Sequence, residues 1–479
     1  MLRRPRRFIA CWLLAGLGLT GAAAPVAAQD TAPERPNIVL MFPDNLGWGE
    51  VGAYGSVRGV PTPRIDQIAA EGIRLTNFIV EYSCTVSRTA LLTGRYAVRA
   101  GATQRSGMTL WEVTLPEALQ SVGYATGLFG KWHVGGDNTW EGRREPTDQG
   151  FDEWYGIPGT SHTSQFTTFD TWDPATMETP YIWEGRAGER PRKLKPFDME
   201  TRRTLDREAA ERGIDFMERQ IDADRPFFFF YPMTQIHFPT LAHPDFAGAT
   251  GAGDIGDAMA DVDHNVGLVL DAIDRLDIAE NTIVFWCTDN GAERRRPWRG
   301  SAGPWNGFYN SAMEGGIRTP CVIRWPARIP AGQVSNEIVH QVDFFPTLAA
   351  AVGAPEIVPT DRAIDGVNQL AFLEGQQAHS NRDSVIFMAM GGRVLAVKWK
   401  DWKFWYAFRP EPGDPNPTST MRLFNLRSDP KEESDVKDAN PWVKSVADRI
   451  VAEFMASTDL YPNVPAGADD PYVPPGGTR

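Results

Sequence analysis

Two Asp-Asn pairs are the first residues of this sequence whose types suggest chemistry. The pairs are Asp44 with Asn45 and Asp289 with Asn290. These side chains offer only oxygen ligands, which suit a hard cation such as calcium or magnesium and not zinc. Because two carboxylates come close to neutralising a divalent ion, such a site would remain compatible with an anionic substrate.

Cationic side chains and one cysteine could supply the rest of the reaction. The cationic candidates are Arg88, Lys131, His133 and His237. Such side chains can surround an anionic group and move protons. Together with a metal ion and a nucleophile, they suit cleavage of a sulfate or phosphate ester, where charge on the transferred group must be stabilised. Cys84 is the candidate nucleophile.

The stretch around Cys84, CTVSRTALLTGR at 84–95, also has a simpler interpretation as the start of a helix. Ser83 or Thr85 could cap this helix, and Gly94 could end it. In that interpretation Cys84 is an ordinary core residue. Features elsewhere in the chain must therefore distinguish a core cysteine from a nucleophile.

The composition indicates a globular chain that carries a leader. The 479 residues are 42% hydrophobic and 23% charged, which is material for two or more domains. Residues 1–28 combine an arginine-rich start, an apolar middle and a run of small residues, so we predict a signal peptide. The protein would then be periplasmic or secreted, without stable membrane insertion; an uncleaved membrane anchor is the alternative.

The net charge argues against nucleic-acid binding, and the cysteine count bears on the role of Cys84. The formal net charge is −13, and removal of the leader with its four arginines makes it more negative. Such a chain is a poor nucleic-acid binder. Without Cys11 of the leader, Cys84, Cys287 and Cys321 remain. An odd number in an oxidising compartment leaves at least one cysteine unpaired, which makes Cys84 more notable.

Four short apolar runs predict buried strands, and candidate residues lie at the end of each. The runs are 37–42, 124–133, 226–232 and 282–287. They alternate with helical patterns at 63–75, 115–123 and 206–221. We therefore predict an α/β fold with a large, mostly parallel central sheet flanked by helices. Ligands of such sheets bind at the carboxyl ends of the strands, although any one Asp-Asn pair could also be a turn former.

The sequence pattern changes near residue 375. Short aromatic strands joined by tight turns follow, which predicts a smaller C-terminal domain at 376–479, built on an antiparallel sheet and ending in a loose tail. Residues 29–375 would form the catalytic domain. Within it, we interpret 164–193 as a long loop that shapes the substrate pocket.

The motif at Cys84 resembles the signature of the sulfatase family, which reads cysteine, any residue, proline, serine, arginine, then a leucine-rich turn ending in threonine and glycine. Further segments resemble the family in the same order along nearly the whole mature chain. They are PNIVLMFPDNLGWGEVGAYG, GYATGLFGKWHVG, DQGFDEWYGIP, IHFPTLAH, IVFWCTDNGAE, EGGIRTPCVIRWP and LFNLRSDPKEESDV. The resemblance implies an alkaline-phosphatase-like fold and hydrolysis of an organic sulfate ester, either aryl or carbohydrate.

The resemblance also implies a cofactor and a modification. In this family a formylglycine-generating enzyme oxidises the motif cysteine, here Cys84, and the hydrated aldehyde attacks sulfur. Calcium, or else magnesium, would be held by Asp44, Asn45, Asp289, Asn290 and the modified Cys84.

Roles for the remaining side chains follow from the same resemblance. Arg88 would orient the aldehyde hydrate, and His133 would act as the base of the hemiacetal step. Lys131 and His237 would grip the sulfate and help to protonate the leaving oxygen. Ser161 would be a further sulfate-side residue.

Three positions depart from the family pattern. Val86 replaces the signature proline, and Asn45 replaces a second aspartate. Tyr309 stands where many members have a second sulfate-binding lysine, so a cation from 293–299 could replace it. Two alternatives stay open. A phosphonate or phosphate ester hydrolase is one, because relatives on the same fold share the modified cysteine and the metal site. A degenerate relative, unmodified at Cys84, that only binds sulfated ligands is the other, and Val86 and Tyr309 motivate it.

Overall fold

Strands and helices alternate through most of this chain, for which a computed structural model describes residues 35–103, 105–136, 144–389, 391–408 and 420–474. The predicted signal peptide lies outside these residues. The strands are β1 (Asn37–Met41), β2 (Ile73–Leu75), β3 (Phe78–Ile79), β4 (Ala125–Lys131), β5 (Glu153–Ile157), β6 (Tyr181–Arg186), β7 (Arg192–Pro196), β8 (Phe227–Tyr231), β9 (Thr282–Cys287), β10 (Cys321–Arg324), β11 (Gln333–Ser335), β12 (Val339–His340), β13 (Ser384–Met388), β14 (Val394–Trp399), β15 (Trp402–Trp405) and β16 (Arg422–Asn425).

Helices connect these strands. The α-helices are α1 (Pro63–Glu71), α2 (Cys84–Thr93), α3 (Leu115–Ser121), α4 (Met199–Asp222), α5 (Gly253–Arg275), α6 (Glu314–Ile317), α7 (Phe344–Ala351), α8 (Leu370–Leu373) and α9 (Trp442–Leu460). Short 3₁₀ segments lie at Trp48–Glu50, Gly52–Tyr54, Pro146–Gln149, Ser161–Thr168, Pro244–Phe246, Gln341–Asp343 and Pro355–Ile357.

The central sheet has ten strands in the order β11-β2-β10-β9-β1-β8-β4-β5-β6-β7. Its middle, from β9 to β5, is parallel throughout. Antiparallel pairs join β10 to β9 on one side and β6 to β5 on the other. The predicted large, mostly parallel central sheet is confirmed, and the structure adds antiparallel pairs towards both edges.

Both faces of the sheet are covered, which explains the continuous apolar runs. In β1, Ile38 and Leu40 join the core cluster that includes residues of α2, α3 and α7. Val39 and Met41 point to the other face, where residues of α1, α4 and α5 pack. A strand buried on both faces needs apolar residues at every position rather than at alternate ones.

The C-terminal sheet is antiparallel, in the order β13-β14-β15-β16, as predicted. Lys398 and Lys403 reach from it to the Glu314 carboxylate of α6, at 2.6 and 3.1 Å, and all three side chains are buried. From Arg35 onward the chain forms one compact unit. The domain boundaries drawn from the sequence pattern stay predictions.

Two details of the sequence interpretation are wrong. The predicted loop at 164–193 contains β6 and the start of the hairpin strand β7, because short strands at a sheet edge alternate too weakly to be recognised. The predicted helix at 63–75 ends at Glu71, and Gly72 leads into β2. Among the described residues, no helix combines the length and apolar character that a membrane crossing requires.

Candidate active site

The predicted site residues converge at the carboxyl ends of four neighbouring strands. Asp44 and Asn45 follow β1, His237 follows β8, Asp289 and Asn290 follow β9, and Lys131 ends β4. Since β4, β8, β1 and β9 are adjacent and parallel, their carboxyl ends lie at one edge of the sheet. The expectation drawn from the strand pattern is therefore met for these four strands.

Cys84 lies directly against the first Asp-Asn pair. Its Sγ donates to Asp44 Oδ1 at 3.2 Å and lies 3.6 Å from Asn45 Oδ1. Ligand atoms of Asp44, Cys84 and His237 lie within 4.8 Å of one another. Burial and the neighbouring Asp44 carboxylate raise the pKa of the Cys84 thiol. As a plain cysteine it would thus be a neutral thiol and a weak nucleophile.

The two carboxylates are each paired with a buried cation. Lys131 Nζ donates to Asp44 Oδ2 at 2.6 Å, and Arg88 donates to Asp289 Oδ2 at 2.8 and 3.1 Å. Although burial favours the neutral acid, Lys131, His237 and Arg88 hold the pKa of Asp44 well below its usual range. Burial and the charge of Asp44 raise the pKa of Asp289 to about 6. Two carboxylates that converge in this way are a natural place for a divalent cation.

Asn290 supports the same conclusion. Its Nδ2 donates to Asn45 Oδ1 at 2.6 Å, while its buried Oδ1 has no hydrogen-bond partner within the described chain. A buried acceptor without a partner is uncommon and calls for an explanation. The oxygen atoms gathered here, together with this unpaired one, fit a hard cation.

Helix α2 positions Cys84 and Arg88. Cys84 occupies its first turn and Arg88 lies one turn later, so both face the same side. All ten residues of α2 are buried, and Gly94 ends it in a left-handed conformation with φ of 67°. Arg88 also donates to the Lys131 carbonyl at 2.9 Å, which ties the helix to the end of β4. The helix predicted by the simpler interpretation exists, and it carries the candidate nucleophile.

Lys131 continues into a row of polar groups. Its Nζ lies 3.5 Å from Thr160 Oγ1, which lies 3.3 Å from His237 Nε2 and 3.4 Å from His162 Nδ1. The Nδ1 of His237 lies 2.6 Å from the Phe238 carbonyl and donates to it, which leaves Nε2 as the acceptor facing Thr160. A lysine, a hydroxyl and two imidazoles thus line one side of the site.

His133 reaches the site differently from the prediction. It was placed on a strand with Lys131, yet β4 ends at Lys131 and His133 has a left-handed backbone with φ of 60°. The bend after the strand, rather than strand periodicity, brings both side chains to the site. Burial, with the charges of Lys131 and Arg88, lowers the pKa of His133, and its buried Nδ1 has no partner in the described chain. A neutral imidazole of this kind can accept a proton.

A cavity of about 300 Å³ opens above these groups. It is lined by Cys84, Thr85, Arg105, His133, Gly136, Thr160, His162, His237, Phe238, Arg295 and Tyr309. Arg295 was anticipated only as one of the cations of 293–299. Its guanidinium lies 4.2 Å from the centre of the Phe238 ring and contacts Glu293.

Comparison with known proteins agrees with this geometry. The family model described as "Sulfatase" matches residues 36–354, and the model "N-sulphoglucosamine sulphohydrolase, C-terminal" matches 306–458. N-acetylgalactosamine-6-sulfatase of Canis lupus familiaris is 36% identical over 417 residues, which cover 82% of this chain and 74% of that protein. The chain belongs to the sulfatase family.

Two further comparisons extend this result. Arylsulfatase A of Homo sapiens is 36% identical over 383 residues, which cover 76% of this chain and 72% of that protein. The crystal structure of PsFucS1 sulfatase from Pseudoalteromonas sp. superposes with a TM-score of 0.83 at 31% identity, covering 90% of this chain and 92% of that one. The protein is accordingly a sulfatase, an enzyme that acts on sulfate esters.

The sulfatase departs from the family signature at Val86 without disturbing the helix. Val86 lies in the first turn of α2, where a backbone N–H has no acceptor within the helix, so either proline or valine fits. Its side chain packs against Ala97 and Ala102. The substitution therefore leaves the position of Cys84 intact.

A second departure, at Asn45, is accompanied by a nearby acid. Asn45 Nδ2 donates to Glu293 Oε2 at 3.1 Å, and Glu293 is buried. The Glu293 carboxylate, which accepts from Asn45, thus partly replaces the carboxylate that is missing at position 45. Glu293 was not recognised from the sequence because it lies in a charged stretch whose conformation no pattern reveals.

Several other residues of the sulfatase site were missed or misplaced. Ser161 donates to the Thr234 carbonyl at 3.2 Å, while the preceding Thr160 faces the site. The segment GIPGTSH marked this region, but the 3₁₀ turn that begins at Ser161 decides which hydroxyl points inward. Arg105 gave no signal of its own.

Proposed function

We propose that this sulfatase hydrolyses organic sulfate esters through a formylglycine made from Cys84, with calcium held by Asp44, Asn45, Asp289 and Asn290. One observation carries the proposal. The Cys84 side chain contacts Asp44 and Asn45 of the first Asp-Asn pair and also lines the cavity of about 300 Å³ that is lined by His133, Thr160 and His237.

The residues present fit a calcium ion. Their donors are oxygens, two of them belong to carboxylates, and the unpaired Asn290 Oδ1 is available. Bound there, calcium would supply positive charge that holds an anionic group and offsets charge gained during ester cleavage. Lys131 and Arg88 balance the carboxylates from the other side and keep them ionised.

Cys84 also fits the proposed modification. It is unpaired, as are the buried Cys287 and Cys321. Cys84 lines the cavity. Its thiol is nevertheless poorly suited to attack, because the raised pKa keeps it protonated. The hydrated aldehyde of formylglycine would supply the oxygen nucleophile that a thiol cannot. A formylglycine-generating enzyme is accordingly the partner that we propose for maturation.

The surrounding side chains then have distinct tasks. Thr160 and His237 line the cavity, and Lys131 Nζ lies 3.5 Å from Thr160 Oγ1; these three side chains would bind sulfate oxygens, His237 in its protonated form because its neutral Nε2 is an acceptor. Arg88 would orient the group at position 84 from one helical turn away. His133, kept neutral by burial and by its cationic neighbours, would accept a proton.

The mature protein is proposed to be periplasmic or secreted after removal of residues 1–28. The leader pattern and the acidic remainder support this. Intact-mass measurement of protein from its native host would test it. Loss of 1–28 is expected, and a full-length mass in the cytoplasmic fraction would contradict it.

The central experiment is mass spectrometry of the tryptic peptide that runs from Leu75 to Arg88, using protein made in its native host. We expect formylglycine in place of Cys84. Parallel assays with 4-nitrophenyl sulfate and 4-nitrophenyl phosphate should then show preference for the sulfate ester, and turnover should fall when calcium is chelated.

Each other outcome has a clear meaning. Preference for the phosphate ester would favour the phosphate or phosphonate hydrolase alternative. Unmodified Cys84 with no turnover, in protein shown to contain calcium, would favour the non-catalytic binder. The Cys84→Ala variant is the control for background hydrolysis.

A further inference from the structure

A second cavity of about 480 Å³ lies beside the active-site cavity. Six aromatic residues contribute to its wall: Phe166, Phe169, Trp172, Tyr181, Trp183 and Phe197. They come from the 3₁₀ segment Ser161–Thr168, the chain that follows it, and the hairpin β6–β7. Cavities of this size and lining are typical of small-molecule sites.

One short segment forms part of the wall of both cavities. Pro158, Gly159 and Thr163 line the aromatic cavity, while Thr160 and His162 line the active-site cavity. The His162 ring packs edge-on against Phe166, with ring centres 5.8 Å apart. Since Gly159 and Thr160 are consecutive, and consecutive Cα atoms lie about 3.8 Å apart, the two cavities are immediate neighbours.

The mouth of the aromatic cavity exposes apolar surface. Phe169 and Met177 are 49% and 42% exposed, and both belong to its wall. Large apolar side chains gathered at a concave surface are typical of a ligand site, whereas single exposed ones need no explanation.

A cation lies against two of the aromatic rings of this cavity. Lys193 Nζ lies 5.1 Å from the centre of the Tyr181 ring and 5.2 Å from that of Trp183. It also pairs with Glu178 at 3.6 Å. Glu178 is the charged side chain among the described wall residues, and it already has a partner.

The composition of the wall excludes some ligands. A sulfate group would find no unpaired cation among these residues, because none of the described wall residues is Arg, Lys or His and the adjacent Lys193 is paired with Glu178. A sugar would find few polar side chains here, since the described wall residues offer three threonine hydroxyls and the already paired Glu178 carboxylate, and each unpaired buried polar group costs about 1–3 kcal/mol. A flat, uncharged hydrocarbon ring meets neither difficulty and can stack on the aromatic side chains.

We propose that the aromatic cavity binds an aromatic ring of the alcohol part of the sulfate ester, beyond the ring or carbon that carries the sulfate. This inference rests on the proposed function. The ester would span both cavities, with its sulfate above Cys84 and its distal ring against Phe169 and Trp172. The sulfatase would then prefer extended aryl sulfates to single-ring ones.

Steady-state kinetics with two esters tests the proposal. Phenyl sulfate esters of one ring (4-nitrophenyl sulfate) and two rings (a biphenyl-4-yl sulfate) are compared in wild type, Trp172→Ala and Phe169→Ala. For the biphenyl ester we expect KM to rise about three- to tenfold in each variant. For the single-ring ester we expect a change below twofold, so the differing acidities of the two phenols cancel in the variant-to-wild-type ratios.

Trp442→Ala is the matched control. Trp442 is an equally exposed aromatic residue, 50% exposed, on α9 beside Trp399 and Trp402, far along the chain from either cavity wall. It should leave both esters unaffected. Thermal unfolding midpoints close to wild type would show that each variant is folded.

The outcomes separate this inference from the proposed function. Equal effects on both esters, or none on either, would overturn the aromatic-cavity proposal while turnover itself upholds the hydrolase. A larger effect on a sulfated disaccharide than on the biphenyl ester would also overturn it in favour of a sugar-binding wall. Absence of turnover with every ester would instead refute the proposed function.

If no ester is turned over, a binding measurement still tests whether the aromatic cavity binds an aromatic ring. The probe is 4-phenylphenol, the alcohol product, followed by saturation-transfer NMR with unmodified protein. Saturation transfer to the distal ring is expected in wild type and Trp442→Ala and should be lost in the Phe169→Ala, Trp172→Ala double variant. Equal transfer in all three proteins would overturn the proposal.

Discussion

At the residue scale, the site is organised around two buried ion pairs. Asp44 with Lys131 and Asp289 with Arg88 are fully buried, and neither pair can lose a member without leaving an unpaired charge. Such a loss typically costs about 3–5 kcal/mol. Inactivation of a variant at these four positions would therefore combine lost chemistry with lost stability, so informative substitutions lie one contact further out.

Glu293 is such a position. Glu293→Gln removes the carboxylate that accepts from Asn45, so we expect calcium affinity to fall by about 10- to 100-fold, in line with the effect of partners that orient ligands. Isothermal titration calorimetry would measure this.

The double variant Glu293→Gln, Asn45→Asp tests whether Glu293 supports calcium binding through its negative charge. It moves the charge back to position 45, and affinity should recover. Failure to recover would mean that Glu293 acts through the backbone N–H groups of Arg294 and Arg295, to which it is also bonded, and not through charge.

Glu81 should make stability depend on pH. Burial and the nearby Asp365 carboxylate raise the pKa of Glu81 to about 8, from an ordinary value of about 4.3. A carboxyl whose pKa is raised by folding holds its proton longer in the folded state. Stability is thus greatest below the ordinary pKa and declines as pH rises towards 8, by about 1.4 kcal/mol per pH unit at most.

Glu81→Gln should remove this decline. Urea unfolding at pH 5, 6.5 and 8 would measure it. The variant should gain stability relative to wild type as pH rises, and parallel curves for the two proteins would refute the assignment.

At the element scale, close contact between β4 and β5 decides where Lys131 stands. Gly130 and Gly156 are paired in register and both have positive φ, 139° and 148°. A Cβ at Gly156 would lie 1.7 Å from the Gly130 carbonyl oxygen. Only glycine allows the two backbones to approach in this way.

Gly156→Ala should therefore force β5 away from β4 and displace Lys131. We expect a loss of more than about 3 kcal/mol in unfolding free energy together with reduced activity. Gly188→Ala is the control, because Gly188 also has positive φ, 82°, but no atoms within 4 Å of an added Cβ. It should cost about 1 kcal/mol and leave activity unchanged, as chemical denaturation and turnover assays would show.

The strands and their ends could be predicted from the sequence, whereas residues placed by loops could not. The four strands β1, β4, β8 and β9 were recognisable because burial on both faces imposes long apolar runs, and Asp44 and Asp289 because polar residues follow the strand ends. Cys84 stood out through the odd cysteine count and its motif, although it lies in the first turn of α2. Thr160 and Arg105 were not, since loops and a 3₁₀ turn aim them at the cavity without any periodic pattern. The placement of His133 on a strand was wrong, as β4 ends two residues earlier than the apolar run of 124–133 indicates.

At the scale of the whole molecule, Glu314 joins the two sheets. It accepts from Lys398 and Lys403, and Arg318 lies 3.5 Å from it. Because these charges are buried, the C-terminal sheet cannot separate without exposing a charged network and its apolar base. The two sheets should unfold together.

Glu314→Gln should lower the stability of the entire chain by about 3–5 kcal/mol. Lys444→Met is the control, since its pair with Asp448 is exposed and should contribute less than about 1 kcal/mol. Calorimetry should show a single transition that moves to lower temperature in Glu314→Gln. A separate early transition for the C-terminal sheet would contradict the coupling.

The complete burial of α2 bears on whether Cys84 can be modified before or after the chain folds. With all ten of its residues inside the molecule, the segment around Cys84 cannot be gripped as an extended peptide by another enzyme once folding is finished. Conversion of Cys84 would have to occur on the nascent or still unfolded polypeptide. Maturation and folding would then compete in time, and conditions that slow folding would increase the share of active molecules.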